Sequence, residues 1–235
     1  MIPKVIHFCW FGGNPFPKDV KKCIKSWKEK CPDYEIKEWN ETNFDVQQNS
    51  FVKVAYESKA WAFVSDYARL KVIYDNGGIY LDTDVELVKS LNSLLENDCF
   101  VGVQQGSEYI ATGLGFGASK HNEMIKEMLL EYDGIIFDNN NRQELACPIL
   151  NTKPFYKYGY HCSDEVQVVN GVHIYPPRFF APYDTVGASN LMCNDTISIH
   201  HYSASWTKGR NRFKRKLVNL IGDANVIKIR QILKI

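Results

Sequence analysis

The segment "KAWAFVSDYARLKVIYDNGG" (59–78), followed at once by "IYLDTDVEL" (79–87), constrains this chain more than any other stretch. Ala60, Phe63, Val64, Tyr67, Leu70 and Tyr74 trace one apolar side at helical spacing, which predicts a helix. Gly77 or Gly78 supplies its C-terminal stop. Ile79 to Leu81 then reads as a buried strand whose carboxyl end runs into Asp82, Asp84 and Glu86. In an open α/β sheet, that end of a strand is where ligands bind.

The preceding residues fit the same architecture. "KVIHFCWFGG" (4–13) reads as a strand broken at Gly12 and Gly13, and "YEIKEW" (34–39) as a second strand. Between them "DVKKCIKSWKEK" (19–30) places Val20, Cys23, Ile24 and Trp27 at helical spacing behind Asp19 as a cap. Strand, helix and strand in this order suggest a βαβ unit.

Further along, "CFVGVQ" (99–104) reads as a strand and "KHNEMIKEMLLEY" (120–132) as a helix. Their joint, "ATGLGFGAS", holds Gly113, Gly115 and Gly117, a close-approach segment whose spacing is not the dinucleotide fingerprint. Residues 134–195 mix short apolar runs with Pro, Asn and Gly and define few elements; "VVNGVHIYPPRFF" (168–180) carries an Asn-Gly hairpin signal. "TISIHHYSASW" (196–206) alternates as a strand through Ile197, Ile199 and His201.

At 235 residues the chain suits one sizeable core. With 45% hydrophobic and 23% charged residues it is not a disordered chain, and a net charge of +1 provides no overall field for nucleic acid. Its basic residues are uneven: Lys208, Arg210, Arg212, Lys214, Arg215 and Lys216 form an acid-free cluster, either a solvated face or a patch for anionic lipid or phosphate. Seven scattered cysteines, none in a C-x-x-C pair, together with no signal peptide, predict free thiols and a cytoplasmic setting. No apolar run approaches the roughly 18 residues of a membrane span.

If the acidic stretch stays extended, Asp82, Asp84 and Glu86 project to one face while Thr83 and Val85 point to the other. Such oxygen ligands suit Mg²⁺ or Mn²⁺, which complete their shells with water and substrate phosphates. A calcium loop starting at Asp82 fails, because its sixth and twelfth positions hold Leu87 and Ser93 rather than Gly and Glu. Aspartyl-phosphate phosphatases also place D-x-D after an apolar strand, but the stretch around Glu86 fits their pattern less well. Asp66 and Arg69 lie three apart on the helix, hence on one side of it. They form either a surface ion pair or a grip on sugar hydroxyls in the same cleft.

"IPKVIHFCWFGG" (2–13), "AFVSDYARLKVIYDNGGIYLDTDVEL" (62–87) and "HHYSASW" (200–206) together resemble glycosyltransferase family 32, the bacterial capsular-polysaccharide and Och1-like group. They are more distantly similar to the glucosyltransferase domains of clostridial toxins. The resemblance implies an α/β fold of GT-A type, a Rossmann-like mixed sheet flanked by helices, over residues 1–207. Residues 208–235 would follow as a basic amphipathic segment packed on the domain or facing a membrane. The resemblance also implies a UDP-sugar donor and Mn²⁺ or Mg²⁺. Trp10 matches the aromatic that stacks on the base, though a lone Trp after a strand is also a core residue. Asp66 and Arg69, with Ser65 beside them, match the holders of the donor sugar. Asp82 matches the first acid near ribose, sugar or metal, and Asp84 the direct metal ligand. His201 and Trp206 match the C-terminal contribution beside the diphosphate and metal, with His200 as the alternative histidine; Ser203 and Ser205 are weaker matches.

The implied reaction is hexosyl transfer to a hydroxyl of a glycan acceptor, lipid-linked and part of a surface or capsular polysaccharide, with retention of configuration. Double displacement would need a carboxylate beneath the anomeric carbon. Asp164 and Glu165 are either that group or an exposed helix cap, and front-face attack without a protein nucleophile is the favoured route. A metal-dependent phosphatase and a non-catalytic nucleotide-sugar-binding protein are the alternatives. The basic segment would hold the enzyme at the inner, anionic face of a membrane.

Overall fold

The computed structural model describes residues 1–184 and 190–203. Fourteen helices and strands among them build a sheet covered on both faces. In chain order they are β1 (Val5–Cys9), α1 (Lys18–Lys30), β2 (Glu35–Trp39), α2 (Ser50–Glu57), α3 (Trp61–Asn76), β3 (Gly78–Tyr80) and β4 (Val85–Leu87), followed by β5 (Cys99–Gly102), β6 (Phe116–Ala118), α4 (Glu123–Leu130), α5 (Cys147–Tyr156), β7 (Gln167–Val169), β8 (Val172–Tyr175) and β9 (Ser198–His200).

Seven strands form one sheet in the order β2-β1-β3-β6-β5-β8-β7, and β4 pairs with β9 in a separate ribbon. The sheet is mixed: β1 runs parallel to β2 and β3, whereas β6 is antiparallel to both β3 and β5. The expected βαβ unit is present as β1, α1 and β2. One face carries a core around Val64, Leu70, Tyr80, Phe116, Met124 and Phe155. The other carries Ile6, Phe8, Trp27, Ile79, Phe100 and Phe180. Strands buried on both faces explain why their sequences run apolar rather than alternating.

α3 departs from the one-sided helix predicted from its spacing. Val64, Asp66, Tyr67, Ala68, Arg69, Leu70, Val72 and Ile73 are all buried, so polar and apolar sides alike face the protein. It stops where expected: Gly77 has φ 70° and its N–H caps the carbonyl of Ile73. Gly78, at φ 106°, starts β3 so close to His7 that a Cβ would stand 2.8 Å from His7 Nε2. A side chain there would be both strained and obstructed.

Other expectations shift in detail. α1 begins behind Pro17, and Asp19 lies in its first turn rather than at the cap, where an acid still favours the helix dipole. β6 lies inside the glycine-rich joint, too short at three residues to show a period. α5 was hidden by its prolines, yet Pro148 sits in its first turn, where a missing N–H costs nothing. The Asn-Gly hairpin forms as expected, with β7 and β8 joined through Asn170 (φ 47°) and Gly171 (φ 78°). All seven cysteines are free. Among the described residues no helix is long and apolar enough to cross a membrane. The basic segment 208–235, Ser205 and Trp206 lie outside the described residues.

Candidate functional site

The acidic stretch is not one extended strand. β3 ends at Tyr80 and β4 begins at Val85, and the Val85 N–H donates to the Asp82 carbonyl at 3.0 Å, so the two aspartates sit on a turn. α1 holds the far side of this turn: the Trp27 indole N–H donates to the Val85 carbonyl at 2.7 Å, and the Leu87 N–H donates to Ser26 Oγ at 2.9 Å. Asp82 and Asp84 consequently face one cleft. Glu86 does not join them, because its carboxylate turns to Lys22 Nζ (3.0 Å) and His201 Nε2 (2.8 Å).

The antiparallel register that sets Val85 opposite His200 also decides between the two histidines. His200 Nε2 lies 3.1 Å from Asp84 Oδ1, and its side chain is 11% exposed. His201, the histidine first matched to the metal group, stands on the opposite parity, exposed, with its Nε2 on Glu86. Asp82, Asp84 and His200 each offer a ligand atom within 4.8 Å of the others. His200 Nδ1 is buried with no hydrogen-bond partner among the described residues. Two carboxylates with one imidazole fit a divalent cation such as Mn²⁺ or Mg²⁺, with carboxylate oxygens as the hard ligands. Ser203 completes the surroundings of Asp84, donating from its N–H (2.8 Å) and its hydroxyl (3.2 Å) to Oδ2.

Asp66 and Arg69 reach the same cleft from α3, as one of the two sequence readings expected. Arg69 Nη2 lies 3.1 Å from both Asp66 Oδ1 and Asp82 Oδ1, and its guanidinium covers the Tyr80 ring at 5.1 Å. This is no surface pair, since the Arg69 and Asp66 side chains are 5% and 11% exposed. The Tyr80 hydroxyl donates to Asp82 Oδ1 at 2.9 Å. Burial pushes the Asp66 carboxyl up to about 6, against the pull of Arg69. Asp82 is raised for the same reason, with Arg69 again opposing. Asp84 behaves differently: burial would raise it, but His200 and the two Ser203 donors hold it well below the usual carboxylate range. Burial would lower His200, but the facing Asp84 raises it instead. Neighbouring carboxylates with divergent proton affinities are characteristic of functional sites.

The cleft has a volume of about 520 Å³. Trp10 and Ser65 line it; the Trp10 indole N–H donates to the Asn14 carbonyl at 2.6 Å and its ring packs edge-on against Phe16 at 5.1 Å. Trp10 is thus partly buried and partly open to the cleft, compatible with both sequence readings. Asp164 and Glu165 are elsewhere, exposed and in contact with half-buried Arg178, and neither caps a helix nor lines the cleft. Sequence reasoning missed Trp61, Gln104, Cys147 and Tyr202, which also line it. Gly113 was noted only as a close-approach glycine; a Cβ there would stand 2.4 Å from Asp82 Oδ2.

With the geometry in place, comparison with known proteins gives three findings. Residues 17–101 match the family model described as "Glycosyltransferase sugar-binding region containing DXD motif". The chain is 30% identical over 153 residues to lactosylceramide 4-alpha-galactosyltransferase of Rattus norvegicus, covering 58% of this chain and 39% of that protein. It is 32% identical over 104 residues to inositol phosphoceramide mannosyltransferase 3 of Schizosaccharomyces pombe, covering 43% of this chain and 29% of that one. The chain therefore spans well under half the length of either relative. Among solved structures, the glycosyltransferase GlyE of Streptococcus pneumoniae superposes with a TM-score of 0.50 at 11% identity, over 93% of this chain and 61% of that one. The fold is GT-A: a Rossmann-like mixed sheet flanked by helices, carrying a D-x-D motif at Asp82 and Asp84.

Proposed function

We propose that this protein is a metal-dependent glycosyltransferase that moves a hexosyl group from a UDP-sugar to a hydroxyl of a glycan acceptor, with retention of configuration. One observation carries the reading: Asp82, Asp84 and His200, a group able to hold a cation, open on the same cleft as the buried Asp66–Arg69 pair. Asp84, Asp82 and His200 would hold Mn²⁺ or Mg²⁺. When bound, the cation supplies charge stabilisation for the departing diphosphate. Trp10 covers the base, and Ser65, Asp66 and Arg69 hold the donor sugar in a fixed orientation, which lowers the barrier by preorganisation. Trp206 is assigned to the diphosphate by sequence resemblance alone.

Asp82 Oδ1 already accepts hydrogen bonds from Arg69 and Tyr80, which favours a binding role over that of an attacking phosphatase nucleophile. No carboxylate outside this group is assigned as nucleophile, and front-face attack is the proposed route. Two relatives with glycolipid acceptors in their names support a lipid-linked acceptor. Synthesis of a surface or capsular polysaccharide, at the inner face of a membrane reached through residues 208–235, is part of the same proposal.

A panel of UDP- and GDP-sugars with Mn²⁺, with and without chelator, tests the activity. Chelator-sensitive donor turnover that is lost in Asp84→Asn is the expected result. Release of inorganic phosphate through a phosphoaspartate, or UDP binding with no turnover, would point to the two alternative classes. Anionic vesicles should retain the wild type and release a variant neutralised at Lys214, Arg215 and Lys216; equal retention would remove the membrane assignment.

A further inference from the structure

Beside Arg69 lies a buried polar group that the reading above does not use. Thr112 and Asn151 are completely buried, and Cys147 is almost so. Cys147 and Asn151 lie one turn apart on α5, hence on one side of it. Asn151 Nδ2 donates to Thr112 Oγ1 at 3.0 Å, and Asn151 Oδ1 accepts from the Tyr132 hydroxyl at 3.3 Å. Arg69 Nη1 points at both Thr112 Oγ1 and Cys147 Sγ, each 3.5 Å away.

These contacts set the direction of the remaining hydrogens. Thr112 Oγ1 accepts from Asn151 and Arg69, which uses its two lone pairs. Its own hydrogen then faces Cys147 Sγ, 3.7 Å away. The Cys147 thiol also helps to lower the Asp66 carboxyl against its burial. Burial raises the thiol far above its ordinary range, so it is a neutral donor here and not a nucleophile. The relay runs from Tyr132 through Asn151 and Thr112 to Cys147, and Arg69, touched by both Thr112 and Cys147, carries it to Asp66. Arg69 Nε has no hydrogen-bond partner among the described residues, so the guanidinium is oriented through its two terminal nitrogens alone.

We propose that Thr112 and Cys147 are positioning residues for the donor sugar, setting the orientation of Arg69 and Asp66 against it. The inference rests on the proposed function and goes beyond it by placing donor-sugar selection partly on α5 and on the glycine-rich joint before β6. Removing the Thr112 oxygen strands two buried donors, and removing the thiol takes a contact from Arg69 Nη1. Both side chains reach the triad only through Arg69, which also holds Asp82, so the intact donor should feel either change more than the nucleotide alone does.

The test is calorimetric binding, in Mn²⁺, of UDP and of whichever UDP- or GDP-sugar in the panel the wild type binds most tightly. Thr112→Val should weaken the intact donor by about tenfold relative to the nucleoside diphosphate, the cost of one buried hydrogen bond. Thr112→Ser, which retains the oxygen, should restore it. Turnover should show the same loss in donor KM before kcat. If Thr112→Val does not fold, Cys147→Ala carries the same comparison, with Cys147→Ser as its rescue. Equal affinities for both ligands in wild type and variants, or parallel losses for both ligands without rescue, would overturn the inference. A wild type that binds no nucleotide-sugar would instead overturn the proposed function beneath it.

Discussion

His200 Nε2 stands 3.1 Å from Asp84 Oδ1, brought there by the pairing of β4 with β9, two strands far apart in sequence. Its neighbour His201 makes an equally close contact, 2.8 Å, but with Glu86 outside the cleft. His200→Ala should lower Mn²⁺-dependent UDP binding and turnover by on the order of a hundredfold, as loss of a group on a metal site does. His201→Ala should leave both near wild type. Titration calorimetry of the two variants checks this, and the reverse order of effects would restore His201 to the site.

Arg69 is the cation between two buried carboxylates, so its loss should be costly in a pH-dependent way. Arg69→Met should destabilise the fold by about 3–5 kcal/mol at neutral pH, the usual cost of stranding a buried charge. Burial already raises Asp66 to about 6, and removing Arg69 removes the influence that lowers it. Carboxyls with raised folded pKa bind more protons in the folded state, so the variant's stability should fall as pH rises through that value. Urea melts at pH 5 and pH 8 measure the difference; an equal deficit at both would contradict it.

Gly113 makes room for Asp82. Its missing Cβ would stand 2.4 Å from Asp82 Oδ2 and 3.3 Å from Arg69 Nη1. Gly113→Ala should therefore displace the first aspartate and cut turnover by on the order of a hundredfold, as small misplacements of reacting groups do. Unfolding midpoints and donor kinetics measured together would separate this from simple instability. Normal kinetics in a folded variant would show that the turn adjusts freely.

His7 couples the start of the sheet to the stop of α3. The Trp39 indole N–H donates to His7 Nδ1 at 3.0 Å, so Nε2 carries the hydrogen and donates to the Gly77 carbonyl at 3.0 Å. Burial is the main cause that lowers its pKa to about 4, with Lys37 adding to it and the Gly77 bond opposing. The folded state then binds fewer protons than the unfolded chain between pH 6.5 and 4. Stability from this group is full above the unfolded value, lost as pH falls across that window, and amounts to about 3 kcal/mol. His7→Gln keeps an acceptor and a donor without titrating. Denaturant melts across the window should show a shallower acid loss for the variant, and identical slopes would refute the assignment.

Much of the framework was legible because it is local. The helix over α3, its glycine stop, the D-x-D at the strand end and the Asn-Gly hairpin all depend on residues within one element or one turn of each other. Side-chain period and glycine conformation act at that range, so the residues themselves announce the outcome. Asp66 and Arg69 were placed on one side of a helix for the same reason.

The amino-acid sequence by itself determined the opening βαβ unit, the place of the acidic stretch after a buried strand, and that Asp66 and Arg69 share one side of α3. Only the tertiary structure decided that this pair is buried, that Glu86 leaves the acidic group, and that His200 rather than His201 faces Asp84. Those outcomes depend on the register of β4 against β9 and on the contacts that bury Arg69, among them Cys147 of α5. A one-residue slip exchanges the faces of every side chain on a strand, and register is set by a distant partner that no local period describes. The apolar side read from α3 does not mark its only buried side, for a related reason: Asp66 and Arg69 are buried too, satisfied by each other and by Asp82, so polarity no longer marks the solvent face.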